Sequence, residues 1–144
     1  GLPAIPIAII QPDWRLSLIE AIRKKTAFLQ HIRGKLKLKN IDVLADRVEN
    51  VAMQQPDQFD AVISRAFTNL SRFLELSLPL LKSDGMVFAM KAKRAEEELS
   101  AVCKDDWQLL ADEALCIPNL SVERRLLVLS PVRKSTSTIS SELT

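Results

Sequence analysis

Four charged residues close four short apolar runs in turn: Glu20 after "RLSLI", Asp46 after "IDVLA", Arg65 after "FDAVIS" and Lys91 after "MVFAM". A strand turns polar where it meets water, which accounts for any one of them. Two acids followed by two bases at successive strand ends describe a polar cleft. An acid at the end of the second strand of a nucleotide-binding sheet accepts hydrogen bonds from ribose hydroxyls, because a carboxylate offers only acceptor sites and can take both. Glu20 is that acid if one strand and one glycine-rich loop stand ahead of residue 1. The opening "GLPAIPIAII" suits this: Gly1 reads as the last glycine of such a loop, and Pro3 and Pro6 fit the first turn of the helix it feeds. His31 is the single histidine, so neither a Ser/His/Asp triad nor a histidine-centred metal cluster is expected. Cys103 and Cys116 are too few and too plainly spaced for a zinc site or a disulfide framework; each reads as a small buried apolar residue.

The elements that must position these residues alternate between strand and helix. "RLSLIEA" (15–21), "IDVLA" (41–45), "FDAVISRAF" (59–67) and "MVFAMK" (86–91) read as strands. Between them, residues 22–36 read as a helix with Ile22, Leu29, Ile32 and Leu36 along its inner side and Arg23, Lys24, Lys35 and Lys37 opposite. A Pro- and Gln-containing loop precedes the third strand, and residues 70–81 form a second helix that ends before the turn "KSDG". Residues 94–104 read as a further helix. "WQLLADEALCIP" and "ERRLLVLSPV" then suit an antiparallel pair, and the Ser/Thr-rich tail 134–144 has little to bury and reads as disordered. Parallel neighbours need long crossovers, so this alternation predicts an α/β domain over residues 1–133 with a largely parallel sheet, whose ligand lies at the carboxyl ends of its strands.

Length and composition agree with one globular domain: 144 residues, 47% hydrophobic and 26% charged. The apolar opening, about ten residues, is too short to span a bilayer and has neither the basic flank nor the cleavage site of a secretory signal, so a cytoplasmic protein with no membrane is expected. The net charge of +2 says little, but seven basic residues and no acidic one lie between Glu20 and Asp42.

"GLPAIPIAI", "KLKNIDVLADRVEN", "FDAVISRAF", "VFAMKA" and "ERRLLVL" resemble, in order and spacing, the small-subunit ribosomal RNA methyltransferase G family, also called glucose-inhibited division protein B. The resemblance runs from residue 1 to about residue 130, and "ISRAF" and "DRVEN" are its most specific parts. It implies the class I, Rossmann-like methyltransferase fold with an antiparallel C-terminal strand, here lacking its first strand and N-terminal helices. It also implies S-adenosylmethionine as methyl donor and methylation of guanosine N7 in small-subunit (16S) ribosomal RNA. Carried across by position, it makes Leu2, Val48, Glu49 and Arg65 donor contacts, with Gly1 at the end of the loop and Glu20 near the ribose. Val48 and Glu49 would lie beside the adenine. The chain departs from the family pattern at Ala4 and Ala92, where many members have Gly, at Arg23-Lys24 in place of a Gly-Lys or Gly-Arg pair, and at Arg125 in place of His.

Guanine N7 carries a lone pair and no proton, so no general base is needed, and in-line orientation behind the methyl carbon supplies the catalysis, at best roughly 7–11 kcal/mol. Positive charge moves from sulfur to purine, so basic groups serve RNA phosphates instead: Arg23, Lys24, Lys91 and Arg125 are the candidates. Phe28 and Phe88 read as core, and Phe67 is the aromatic placed for base contact. Arg65 has a structural alternative, pairing with Asp46 or Asp60. A monomer without metal is expected. Two rivals remain open: a nicotinamide-dependent oxidoreductase, which would want a Tyr-Lys pair in a chain with no Tyr, and a non-catalytic RNA-binding remnant of the methyltransferase.

Overall fold

The computed structural model describes residues 1–65, 69–92, 94–119 and 121–133. The chain runs α1 (Ala4–Ile10), β1 (Leu16–Ile19), α2 (Arg23–Lys35), β2 (Ile41–Leu44), α3 (Val48–Gln54), β3 (Phe59–Arg65), α4 (Leu70–Ser77), a 3-10 turn (Leu78–Leu80), β4 (Leu81–Lys91), α5 (Ala95–Ser100), β5 (Trp107–Leu115) and β6 (Arg124–Pro131). The strands fall into two sheets. β1 and β2 pair in parallel, and the larger sheet has the order β3-β4-β6-β5, with β3 parallel to β4 and the last two strands antiparallel. The expected mostly parallel α/β architecture with an antiparallel C-terminal strand is therefore present. The sheet is divided between the strand that leads to Glu20 and the strand that ends at Arg65, where the sequence reading left a strand out.

Apolar burial holds each part and then joins them. Ala8, Leu18, Leu29 and Ile41 form a core from α1, β1, α2 and β2. Leu70, Phe73, Leu74, Val87, Leu127 and Leu129 belong to the larger core between α4 and the second sheet. A third cluster, built on Val51, Ala52 and Leu80, collects Ile19 and Leu44 from one sheet and Phe59 and Val62 from the other. This cluster is the apolar bridge beneath the division. Polar side chains tie the connections: Asn40 Nδ2 lies 3.0–3.2 Å from the carbonyls of Ala8, Gln11 and Trp14, pinning the exit of α1 to the start of β2.

Several expectations are corrected. The loop before β3 contains α3, so Val48 and Glu49 lie in a helical first turn. The second helix stops at Ser77, and "KSDG" lies inside β4, where the register jumps from Phe59↔Leu81 to Ala61↔Met86. Gly85 folds back on Leu81 there: an added Cβ would lie 2.9 Å from Leu81 Cδ2 and 3.1 Å from the Lys82 carbonyl oxygen. Phe28 is 59% exposed rather than core, and Ile22 and Leu36 also face solvent, leaving Thr26 and Leu29 as the buried side of α2. Cys103 and Cys116 are exposed. The tail 134–144 and Phe67 lie outside the described residues.

Candidate functional site

The division of the sheet is a cavity of about 610 Å³ whose walls are β1 on one side and Ala61–Ser64 of β3 on the other. Gly1, Leu2, Glu20, Asp46, Val48 and Glu49 all line it. Five of the six donor contacts expected from the sequence thus converge on one hollow. Arg65 follows the lining residue Ser64 at the end of β3. It is close enough to act on the Gly1 amino group, whose pKa is held below its ordinary value first by burial and, among charges, is raised by Glu20 and lowered by Arg65 and Lys25. The ends of β1 and β3 therefore meet the start of the chain at one rim.

Local chemistry explains each position. Glu20 Oε1 accepts the Ile22 N–H at 2.9 Å, and the Thr26 hydroxyl donates to the Glu20 carbonyl at 3.0 Å, so the first turn of α2 fixes the residue. One carboxylate oxygen caps the helix and Oε2 remains on the cavity side of that task. Gly1 is tight against protein: an added Cβ would lie 3.0 Å from Leu29 Cδ2 and 3.1 Å from Ile5 Cδ1. Its missing side chain serves the packing of α1 on α2 as well as the rim. Val48 is half-buried and Glu49, beside it, reaches Arg72 of α4 at 3.5 Å.

Asp46 was noticed as a strand-end acid but not placed in the site, although it lines the cavity. Its Oδ1 accepts the Arg47 N–H and the Asn50 side-chain amide, each at 2.7 Å. Those bonds, the Asn50 one foremost, hold the carboxyl below the ordinary carboxylate range. Asp46 shapes the turn that presents Val48 and Glu49. The structural alternative for Arg65 is not found among the described residues: Asp46 is engaged as above, and Asp60 pairs with Lys82 at 3.1 Å.

The four candidate RNA contacts separate. Arg23 and Lys24 are exposed in the first turn of α2, next to Glu20. Lys91 and Arg125 instead face each other across β4 and β6. Like charges directly opposite destabilise a sheet, and each has its own carboxylate. Lys91 Nζ meets Glu98 at 2.6 Å, and Arg125 makes a two-pronged contact with Asp112 and lies 3.6 Å from Glu96. With 9% and 16% of their side chains exposed, these two cations are spent within the protein rather than offered to phosphate.

Residues 1–128 match the family profile of rRNA small subunit methyltransferase G. A ribosomal RNA small subunit methyltransferase G of Polynucleobacter asymbioticus is 80% identical over 134 residues, which are 93% of this chain and 60% of the relative. One from Azoarcus sp. is 41% identical over 130 residues, 90% of this chain and again 60% of the relative. The chain thus spans about three fifths of the length of these relatives. Among solved structures, TrmN from Thermus thermophilus superposes with a TM-score of 0.70 at 17% identity, over 92% of this chain and 41% of that one. M. jannaschii TYW2, solved in complex with AdoMet, gives 0.62 at 20% identity, over 88% and 61%. These likenesses bear on the fold. With the strand order, the shared rim and the match over nearly its whole described length, the chain belongs to the rRNA small subunit methyltransferase G family.

Proposed function

We propose that this chain carries the donor-binding rim of an enzyme that transfers a methyl group from S-adenosylmethionine to N7 of a guanosine in small-subunit ribosomal RNA. The observation that carries the reading is the convergence of Gly1, Leu2, Glu20, Val48 and Glu49 on one cavity at the carboxyl end of parallel strands. About 610 Å³ is within the range of small-molecule sites. The residues present suit a nucleoside: Glu20 offers an acceptor for the ribose hydroxyls, half-buried Val48 an apolar surface for the adenine, and Glu49 an acceptor beside it. The donor supplies an electrophilic sulfonium methyl when bound.

The chain's own residues have the task of holding rather than proton transfer, because the N7 lone pair is free to attack. Arg65 belongs to the same rim as an exposed cation at the end of β3. Phosphate contact falls to Arg23 and Lys24, which stand next to Glu20 and carry no ion pair among the described residues. The reading carries with it a monomer in the cytoplasm, where ribosomal RNA is made. The family match favours the enzyme over a non-catalytic remnant.

The test is a chimaera in which this chain replaces the matched region of the Polynucleobacter asymbioticus relative. Methyl transfer from radiolabelled S-adenosylmethionine to small-subunit RNA, with strand scission at the product by chemistry specific for 7-methylguanosine, is expected. A folded chimaera that leaves the RNA unlabelled, or labels it at another atom, refutes the proposal.

A further inference from the structure

Glu98 stands where three elements meet. From α5, its Oε2 accepts the N–H of Leu70 at 2.8 Å and pairs with Lys91 Nζ at 2.6 Å. The two charged side chains are only 18% and 9% exposed. Leu70 opens α4, so its N–H is one of those a helix leaves without an intrahelical partner. Asn69 satisfies another, its Oδ1 accepting the Arg72 N–H at 2.8 Å. The first turn of α4 is therefore capped twice: locally by Asn69 and, from another helix, by a carboxylate. An anion at a helix N-terminus is favourable on its own account. The same oxygen neutralises the cation at the end of β4.

The first turn of α4 matters for more than its own stability. It follows the connection that leaves Arg65 at the end of β3, and Arg72 within it reaches Glu49 at 3.5 Å. A chain of contacts thus runs from Lys91 through Glu98, Leu70 and Arg72 to Glu49, along one rim of the molecule.

We propose that Glu98 is a positioning residue, which clamps the first turn of α4 to the end of β4 and, through Arg72, sets Glu49 at the donor cavity. It touches neither donor nor acceptor. The proposal rests on the reading of that cavity as the donor site, and it adds a residue whose side chain does not line it. An ion pair serving stability alone would lower the melting temperature and leave donor affinity, measured on folded protein, unchanged.

The experiment uses the chimaera described above, with donor affinity by calorimetry, kcat and KM on small-subunit RNA, and folding checked by circular dichroism at the assay temperature. In Glu98→Ala the dissociation constant for S-adenosylmethionine is expected to rise at least threefold and kcat/KM to fall at least tenfold. Glu98→Gln keeps an oxygen for the Leu70 N–H, so its donor affinity is expected within threefold of the parent. Arg72→Met, which breaks the link to Glu49 and leaves the Glu98 contacts in place, is expected to weaken the donor at least threefold without a change in melting temperature. A folded Glu98→Ala with unchanged donor affinity overturns the proposal, as does a folded Glu98→Gln as impaired as Glu98→Ala. Should Glu98→Ala fail to fold, an unchanged donor affinity in Arg72→Met overturns it. If the parent binds no donor, the functional reading has failed by itself. The clamp is then read from hydrogen exchange at the Leu70 amide, expected at least tenfold faster in Glu98→Gln or Glu98→Ala than in the parent only where the cap is lost, that is, in Glu98→Ala. Equal exchange in parent and Glu98→Ala overturns it.

Discussion

Glu20 does two jobs with one carboxylate, and they can be separated. Oε1 caps α2 through the Ile22 N–H, while the remaining oxygen faces the task of holding a ribose diol. In Glu20→Gln the side-chain oxygen can still accept from Ile22, but the charge is gone and the amide N–H₂ cannot accept. A hydrogen bond to a charged group is worth about 1.5–3 kcal/mol, so the expected result in the chimaera is a roughly tenfold to hundredfold weaker donor with little change in melting temperature, read by calorimetry and thermal unfolding. Equal affinity would remove Glu20 from the site. Such strand-end residues were legible in the sequence because an apolar run that stops at a charge announces its own terminus. What the sequence concealed is how each charge is spent. Lys91 and Arg125 look like free cations in a row of letters, and only the pairing of β4 with β6, and of β5 with β6, sets them opposite one another and brings Glu98 and Asp112 to them. Asp46 was hidden differently, since its partners Arg47 and Asn50 are local but its place on the cavity wall is not.

At the scale of elements, the charge pair between β5 and β6 makes stability depend on pH. The Arg125 guanidinium beside Asp112 holds its carboxyl below the ordinary range. A carboxyl with a depressed folded-state pKa contributes stability that is fully present above its unfolded value, about 4, and is lost as pH falls through the folded value. Urea unfolding is therefore expected to show Asp112→Asn less stable than the parent at pH 7 and the gap closing below about pH 4. A gap independent of pH would mean that the contact acts by shape alone. Apolar packing governs the helices instead. Leu74 is 1% exposed on the inner side of α4 and Leu78, just beyond it, is 48% exposed. Leu74→Ala is expected to cost about 2–5 kcal/mol, whereas Leu78→Ala should stay within about 0.5 kcal/mol. The inner face of α4 follows a helical period, which is why it could be read ahead of the structure. α2 defeated the same reasoning, because only Thr26 and Leu29 of its surface are buried and the helix leaves Phe28 to solvent. α3 was missed because its seven residues sit between polar and proline-containing stretches, too short for a period to emerge.

For the molecule as a whole, the decisive feature is that its two sheets meet across a cavity rather than through a strand. β1 pairs only with β2 and β3 only with β4 among the described residues. The N–H groups of Leu16 and Glu20 go to β2, through Asn40 and Leu44, so alternation along the strand turns those of Ser17 and Ile19 toward the cavity. Unpaired strand edges invite association, and the apolar bridge around Val51, Ala52 and Leu80 is what keeps the two sheets together. Rim residues held by that bridge alone can move relative to one another, and a ligand that spans them must then supply the ordering free energy itself. The 144 residues alone are accordingly expected to bind S-adenosylmethionine at least tenfold more weakly than the chimaera, and to expose the Ser17 and Ile19 amides to rapid hydrogen exchange that the chimaera suppresses. Calorimetry on both proteins, with exchange measured in parallel, decides the matter. Tight micromolar binding by the 144 residues, with those amides already protected, would mean that the cavity between β1 and β3 is a finished site and that the rim needs no further strand to hold it.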